Sequence, residues 1–217
     1  MNRYRTLPWP WVPFLIALAL LIHEITMRRL GADASLALTL WRAGVMTLGI
    51  AALTLLILPS RRAAYFLGAI LCAGLIGYAL YAQYVLGLEP CPLCVFQRVA
   101  VIACGVVFAV AALQHPGRKG AVVYALSTLL AAGAGAAVAM RHLWIQSLPP
   151  SEVPACGPGL SYMLDTLPFT DVLQKVLAGS GECATVDWRF LGLTLPGWTL
   201  VFFLTMIVAA IALIRRD

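Results

Sequence analysis

Long apolar runs separated by short polar punctuation dominate this chain, and four of them define elements: Tyr65 to Leu86, Val95 to Leu113, Ala121 to Leu143 and Gly197 to Ile214. A helix rises about 1.5 Å per residue and the hydrocarbon core of a bilayer is about 30 Å thick, so a span takes roughly 20 such residues. The pattern therefore predicts a bundle of membrane helices joined by short turns, interrupted by one long polar stretch from Trp144 to Pro196. Proline is favoured in a first helical turn, where its missing N–H goes unused, so the second of these helices is expected to begin at about Pro92. In the third, "AAGAGAAVA" (Ala131 to Ala139) offers small side chains that let neighbouring helices approach closely.

The first sixty residues carry a weaker pattern. Leu36 to Leu58 is apolar enough to span, with Arg42 near its outer end able to reach towards water. Trp11 to Met27 is a poorer candidate, because its core "FLIALALLI" is short and is followed by His23 and Glu24. If it spans, there are six spans and Met1 is cytoplasmic, although Arg28 and Arg29 then lie outside; if it is an uncleaved signal-like or interfacial segment, there are five. The six-span reading is preferred, giving a hydrophobic extension at 1–60, folded as a helical hairpin, ahead of a four-span domain at 61–217. "PWPWVP" at residues 8–13 suits an interfacial aromatic belt, and "ADA" at Ala32 to Ala34 lies too far beyond the apolar core to act as a signal cleavage site.

Composition agrees with a membrane bundle: 62% of the 217 residues are hydrophobic and 11% charged, against about 25% charged in ordinary soluble domains. The formal charge of +6 does not indicate nucleic acid, because the basic residues are scattered as pairs between apolar blocks. Those pairs report topology instead. Arg61 with Arg62, Arg118 with Lys119 and Arg215 with Arg216 fall at alternate span ends, which the positive-inside rule makes cytoplasmic. "EPCPLC" and the long polar stretch are then both outside.

Six cysteines sort by surroundings. Cys72 and Cys104 lie inside apolar runs, as small buried hydrophobes. Cys91, Cys94, Cys156 and Cys183 lie in or beside polar segments on the outer face, where an even number reads as disulfides in an oxidising compartment. Cys94 falls in the first turn of its helix, where free amides and the positive dipole end favour an anion, so it is the better thiolate of the Cys91/Cys94 pair. Arg98 is four residues on, hence on the same face one turn deeper, and a cation at membrane depth usually marks function. Gln97 can assist with hydrogen bonds or serve as an inter-helix polar contact.

A CxxC alone leaves zinc, haem and redox readings in competition. Structural zinc wants a second ligand pair of matching spacing, and c-type haem wants histidine at position 95, which is Val95, so redox chemistry survives. Cys156 and Cys183 stand 27 residues apart; a disulfide closing that loop is either purely structural or an exchange partner for the dithiol on the same face. The sequence between them, "LSYMLDTLPFTDVLQKVLAG", is partly amphipathic and suited to lying flat on the membrane surface.

The region from about Arg61 to Asp217 resembles the DsbB family, bacterial inner-membrane proteins that reoxidise the periplasmic thiol oxidase DsbA and pass the electrons to quinone. The resemblance rests on "PCPLCVFQR", four spans, two loop cysteines, "SGEC" at the second of them and "DWRFLGLTLPGW" before the last span. It implies an all-α, four-helix transmembrane bundle of DsbB type with one or two added N-terminal helices. It also implies a relay in which reduced DsbA attacks a Cys156–Cys183 disulfide at Cys156, electrons move to the Cys91/Cys94 pair, and Cys94 passes them to ubiquinone or menaquinone beside Arg98 and His142. Gln97 is grouped with these as a cofactor-side contact, no metal is expected, and Arg141 beside His142 reads as a snorkelling anchor. A VKOR-like quinone reductase is the nearest alternative, but there the quinone-proximal CxxC follows the loop cysteines, whereas here it precedes them. A membrane scaffold or transporter with one structural loop disulfide is the alternative from another class.

Overall fold

The structure is a computed structural model that describes residues 36–57, 60–157, 159–186 and 188–214. The candidate helix at Trp11 to Met27, the residues before it and the Arg215/Arg216 pair lie outside these. Among the described residues, four helices are long and apolar enough to cross a membrane: α2 (Arg61–Tyr84), α3 (Pro92–Gln114), α4 (Arg118–Gln146) and α7 (Leu195–Ile214). They coincide with the four predicted runs but extend past the apolar residues at most ends, because the backbone helix stops at caps and not where hydrophobicity stops. Ser60 caps α2 by accepting the Ala63 N–H at 3.3 Å. α3 starts at Pro92, as its sequence predicts, and stops at His115, whose left-handed backbone (φ 48°) precedes Pro116.

Turns of a few residues join α2 to α3 and α3 to α4, so successive helices run antiparallel. The N-termini of α2 and α4, with Arg61, Arg62, Arg118 and Lys119, therefore share one end, and Cys91, the end of α4 and the 147–194 segment share the other. In the packing, α2 lies on α3, α3 on α4 and α4 on α7. The α4–α7 contact is the most extensive, and its closeness has a specific cause: a side chain at Gly135 would sit 2.4 Å from the tip of the fully buried Phe203 ring. Ala132 and Ala139, one turn to either side, are also fully buried, so the small-residue run does admit its neighbour. Many large apolar side chains on the helix exteriors are exposed, among them Ile70, Leu130 and Val106, as lipid-facing positions require.

A further apolar helix, α1 (Leu36–Ile57), packs along α7. Arg42 does not reach outward as expected. It is buried, 6% exposed, and its guanidinium donates to the Gly192 carbonyl at 3.4 Å. Gly192 belongs to a feature the sequence reading did not anticipate, a two-residue hairpin in which β1 (Arg189–Phe190) pairs antiparallel with β2 (Leu193–Thr194). Its turn residues Leu191 and Gly192 both have positive φ, the geometry that matches strand twist in a tight hairpin.

Candidate active site

Cys91 is the N-cap of α3: its backbone is extended (φ −64°, ψ 160°) and its sulfur accepts the Cys94 N–H at 3.4 Å, the position a serine oxygen takes at other helix starts. Capping thus holds the two sulfurs together, with Cys91 Sγ 3.2 Å from Cys94 Sγ. They differ in exposure, Cys91 being buried and Cys94 half-buried.

On the inner side of Cys91 stand His142, near the end of α4, and Cys183, on a 3-10 turn at Gly181–Ala184. Cys91 Sγ, a ring nitrogen of His142 and Cys183 Sγ all lie within 4.8 Å of one another, and all three residues are buried. Thr199 Oγ1 donates to Gln97 Oε1 at 2.6 Å, which turns the Gln97 amide N–H towards His142 Nδ1 at 3.2 Å. Nδ1 is then the acceptor, and Nε2 carries the proton that the Cys183 carbonyl accepts at 3.1 Å. Contact with the Cys91 thiol, and burial after it, push the Cys183 thiol pKa up, so at neutral pH Cys183 stands protonated against Cys91.

Arg98 faces another way. Its guanidinium donates to the Gln83 side-chain oxygen and, at 3.2 Å, to the Ala79 carbonyl, both on α2. Helix geometry keeps it on the Cys94 face of α3, one turn deeper. The structure therefore divides the predicted cofactor contacts: Arg98 lies on the α2 side with Cys94, while Gln97 and His142 lie on the α4 and α7 side with Cys91 and Cys183. A quinone fits the Arg98 side on chemistry, since these bonds engage two of the five N–H donors of a half-buried guanidinium beside a partly exposed thiol.

The polar stretch forms a cover. Its helices α5 (Leu160–Thr166) and α6 (Phe169–Ala178) place Met163, Val172 and Val176 in one buried cluster with Cys91, Leu93, Ile145 and Cys183. Part of the amphipathic face, Val172 and Val176, closes over the thiols, while Phe169 and Leu164 remain exposed. Arg141 fixes this cover: its guanidinium donates to the Leu177 and Ala178 carbonyls, each at 2.8 Å, and lies over the Trp144 ring 4.1 Å from its centre. A cation there also complements the C-terminal dipole end of α6, so Arg141 is a clasp on the cover and not simply an interfacial anchor. Cys156 stays exposed, its sulfur beside Gly181 at the start of the Cys183 turn. All six cysteines are free thiols here, so the loop pair is not joined and Cys183 has Cys91 for its sulfur neighbour.

Sequence reading missed Gln83, Ser180 and Thr199. Gln83 had a signal, a lone amide towards the end of an otherwise apolar helix, whereas nothing local marked Thr199 or Ser180, whose oxygen lies 3.7 Å from the Cys183 sulfur.

Residues 61–213 match the family described as Disulfide bond formation protein DsbB. Among similar proteins, the disulfide bond formation protein B of Hahella chejuensis is 53% identical over 158 residues, covering 72% of this chain and 96% of the relative. That of Chromobacterium violaceum is 51% identical over 157 residues, covering 72% and 95%, and that of Nitrosococcus oceani 56% identical over 145 residues, covering 67% and 86%. With four helices among the described residues long and apolar enough to span a membrane, and a buried cluster of thiols at one end, this chain belongs to the DsbB family of membrane disulfide-forming proteins.

Proposed function

We propose that the chain is a thiol:quinone oxidoreductase of the bacterial inner membrane, with its thiols on the periplasmic face, that reoxidises a DsbA-like dithiol oxidase. The observation that carries this reading is that the Cys91 sulfur lies within reach of two others, 3.2 Å from that of Cys94 and within 4.8 Å of that of Cys183. Thiol exchange proceeds by attack of one sulfur on a second while a third leaves, and three sulfurs gathered within a few ångströms supply that set.

In the proposed cycle the loop pair Cys156–Cys183 begins as a disulfide. A thiolate of the reduced partner attacks exposed Cys156, forming a mixed disulfide and releasing Cys183 as a thiol. The partner's second thiolate then expels Cys156, leaving with its own disulfide and depositing two electrons and two protons on the loop pair. Cys183, as thiolate, next attacks Cys91 of the Cys91–Cys94 disulfide; a Cys91–Cys183 bond forms and Cys94 departs as thiolate. Cys156 then attacks Cys183, restoring the loop disulfide and leaving Cys91 and Cys94 both reduced.

The Cys183 thiol must lose a proton to attack. Its pKa is raised by contact with the Cys91 thiol and by burial, so its loss of the proton is favoured once Cys91 is in a disulfide and the first of these causes is gone. Ubiquinone or menaquinone, when bound, is the two-electron acceptor that returns the Cys91/Cys94 pair to its disulfide. Arg98, fixed by Gln83 and Ala79, is placed to stabilise negative charge one turn below Cys94. His142 and Gln97 act on the other side, orienting the Cys183 turn through its carbonyl. Residues 61–217 form the catalytic unit in this reading, and residues 1–60 are an added hydrophobic extension.

Steady-state quinone reduction by purified protein and a reduced DsbA-type partner tests the proposal. Cys94→Ser should abolish quinone reduction while mixed-disulfide formation at Cys156 persists. An unchanged rate in that variant would overturn it.

A further inference from the structure

The buried cluster that Cys91 forms with His142 and Cys183 has a second chemical capability. Cys91 Sγ, a ring nitrogen of His142 and Cys183 Sγ converge from three separate segments, the α3 cap, the end of α4 and the 3-10 turn, with every pair within 4.8 Å. A fourth soft donor, Cys94 Sγ, lies 3.2 Å from Cys91. Tetrahedral zinc with three sulfurs and one nitrogen has metal–ligand bonds of about 2.3 and 2.0 Å, hence ligand–ligand edges of roughly 3.5 to 3.8 Å. The Cys91 to His142 separation, 3.9 Å, is close to such an edge already.

We propose that the reduced enzyme binds one thiophilic divalent cation, zinc or cadmium, through Cys91, Cys183, His142 and Cys94. Binding transfers no electrons. Up to three thiols release their protons to solvent as sulfur–metal bonds form, and the histidine proton moves from Nε2 to Nδ1 so that Nε2 can ligate. The surroundings accommodate that shift: rotation of the Gln97 amide presents its oxygen to Nδ1–H, and the Thr199 hydroxyl, which also lies 2.9 Å from the Pro196 carbonyl, donates there and accepts from the amide nitrogen. A second-sphere amide that fixes a ligating imidazole is a common feature of metal sites.

Redox state gates the site. A Cys91–Cys94 or Cys91–Cys183 disulfide removes the thiolates, so the oxidised enzyme lacks the ligand set and only a chain carrying electrons takes the metal. The binding stands on the geometry alone. Its consequence, that the metal stalls electron transfer from the reduced dithiols, rests on the function proposed above.

The test uses tag-free full-length protein in detergent, reduced with a phosphine, desalted and titrated with Cd2+, followed by the thiolate-to-metal charge-transfer absorbance. Zn2+ affinity is measured in parallel by competition with a chromophoric chelator. One metal per reduced chain is expected, with none in the oxidised chain, and a higher unfolding temperature with Zn2+ only after reduction. Cys183→Ala and His142→Ala should each weaken binding by about 100-fold or more, and Gln97→Ala by about 10- to 100-fold. Wild-type affinity in both ligand variants would show chelation by the CxxC pair alone and overturn the proposal, as would equal binding by the oxidised protein or no binding by the reduced one. Because these readouts need neither quinone nor partner, failure here is distinct from failure of the oxidoreductase reading.

Discussion

Gln83 should matter to quinone handling although it lies outside the CxxC segment, on a different helix. It accepts one of the two hydrogen bonds that tie the Arg98 guanidinium to α2, the other going to the Ala79 carbonyl. Gln83→Leu keeps the bulk and removes the acceptor. A hydrogen bond to a charged group contributes about 1.5 to 3 kcal/mol net, but Arg98 is half-buried and water recovers part of the loss, so about 1 kcal/mol of orientation is at stake. At about 1.4 kcal/mol per decade this raises the quinone KM about fivefold. Arg98→Ala loses both bonds and the charge and should exceed tenfold, while Arg98→Lys keeps the charge without the fork and should fall between them. The assay is steady-state quinone reduction at saturating reduced partner, paired with single-turnover mixed-disulfide formation at Cys156. The expected signature is a raised KM with an unchanged exchange rate. A Gln83→Leu enzyme with wild-type KM, or one impaired only in thiol exchange, would refute the assignment of Arg98 to the acceptor side.

Three further outcomes follow from the same geometry. In the reduced protein Cys156 should alkylate readily and Cys183 slowly, because Cys183 is 1% exposed with a raised pKa; Arg141→Ala, by releasing α6, should speed Cys183 labelling about tenfold, for roughly 1.4 kcal/mol of lost docking. The raised Cys183 pKa also sets a pH dependence. Below the unfolded-chain value of about 8.5 both states hold the proton and stability is full; above it the unfolded chain releases a proton that the folded one keeps, so the unfolding temperature of the reduced wild type should fall more steeply with rising pH than that of Cys183→Ala. Gly135→Ala should destabilise the bundle by about 1 to 3 kcal/mol, since its methyl meets the Phe203 ring, and Phe203→Leu should recover part of the loss in detergent unfolding.

The four spans were legible because hydrophobicity over about 20 residues is a one-dimensional signal that a bilayer enforces. The start of α3 was legible because proline acts locally. The cover was harder. Amphipathicity in Phe169–Ala178 shows that one face seeks an apolar surface but not which one, and only the fold reveals that Val172 and Val176 bury in one cluster with Cys91 and Cys183. Arg42 and Arg141 read as interfacial cations for the same reason: a long side chain near a span end can reach water or a carbonyl, and the choice lies in partners 150 and 36 residues away. The hairpin at Arg189–Thr194 escaped because its strands are two residues each, too short for any alternation to register. At the site, sequence brought Cys91, Cys94, Gln97 and Arg98 together by spacing, whereas the approach of Cys183, from within the long polar stretch, to His142, just before it, is a tertiary fact.

The central claim is that the Cys183 sulfur reaches the Cys91 sulfur. It is tested most directly in the Cys94→Ser, Cys156→Ser double variant, mildly oxidised and mapped by mass spectrometry of non-reduced peptides. The account predicts a Cys91–Cys183 disulfide within one chain. Contradiction would be Cys91 and Cys183 remaining free, or joined only between chains, under conditions that fully oxidise the wild type.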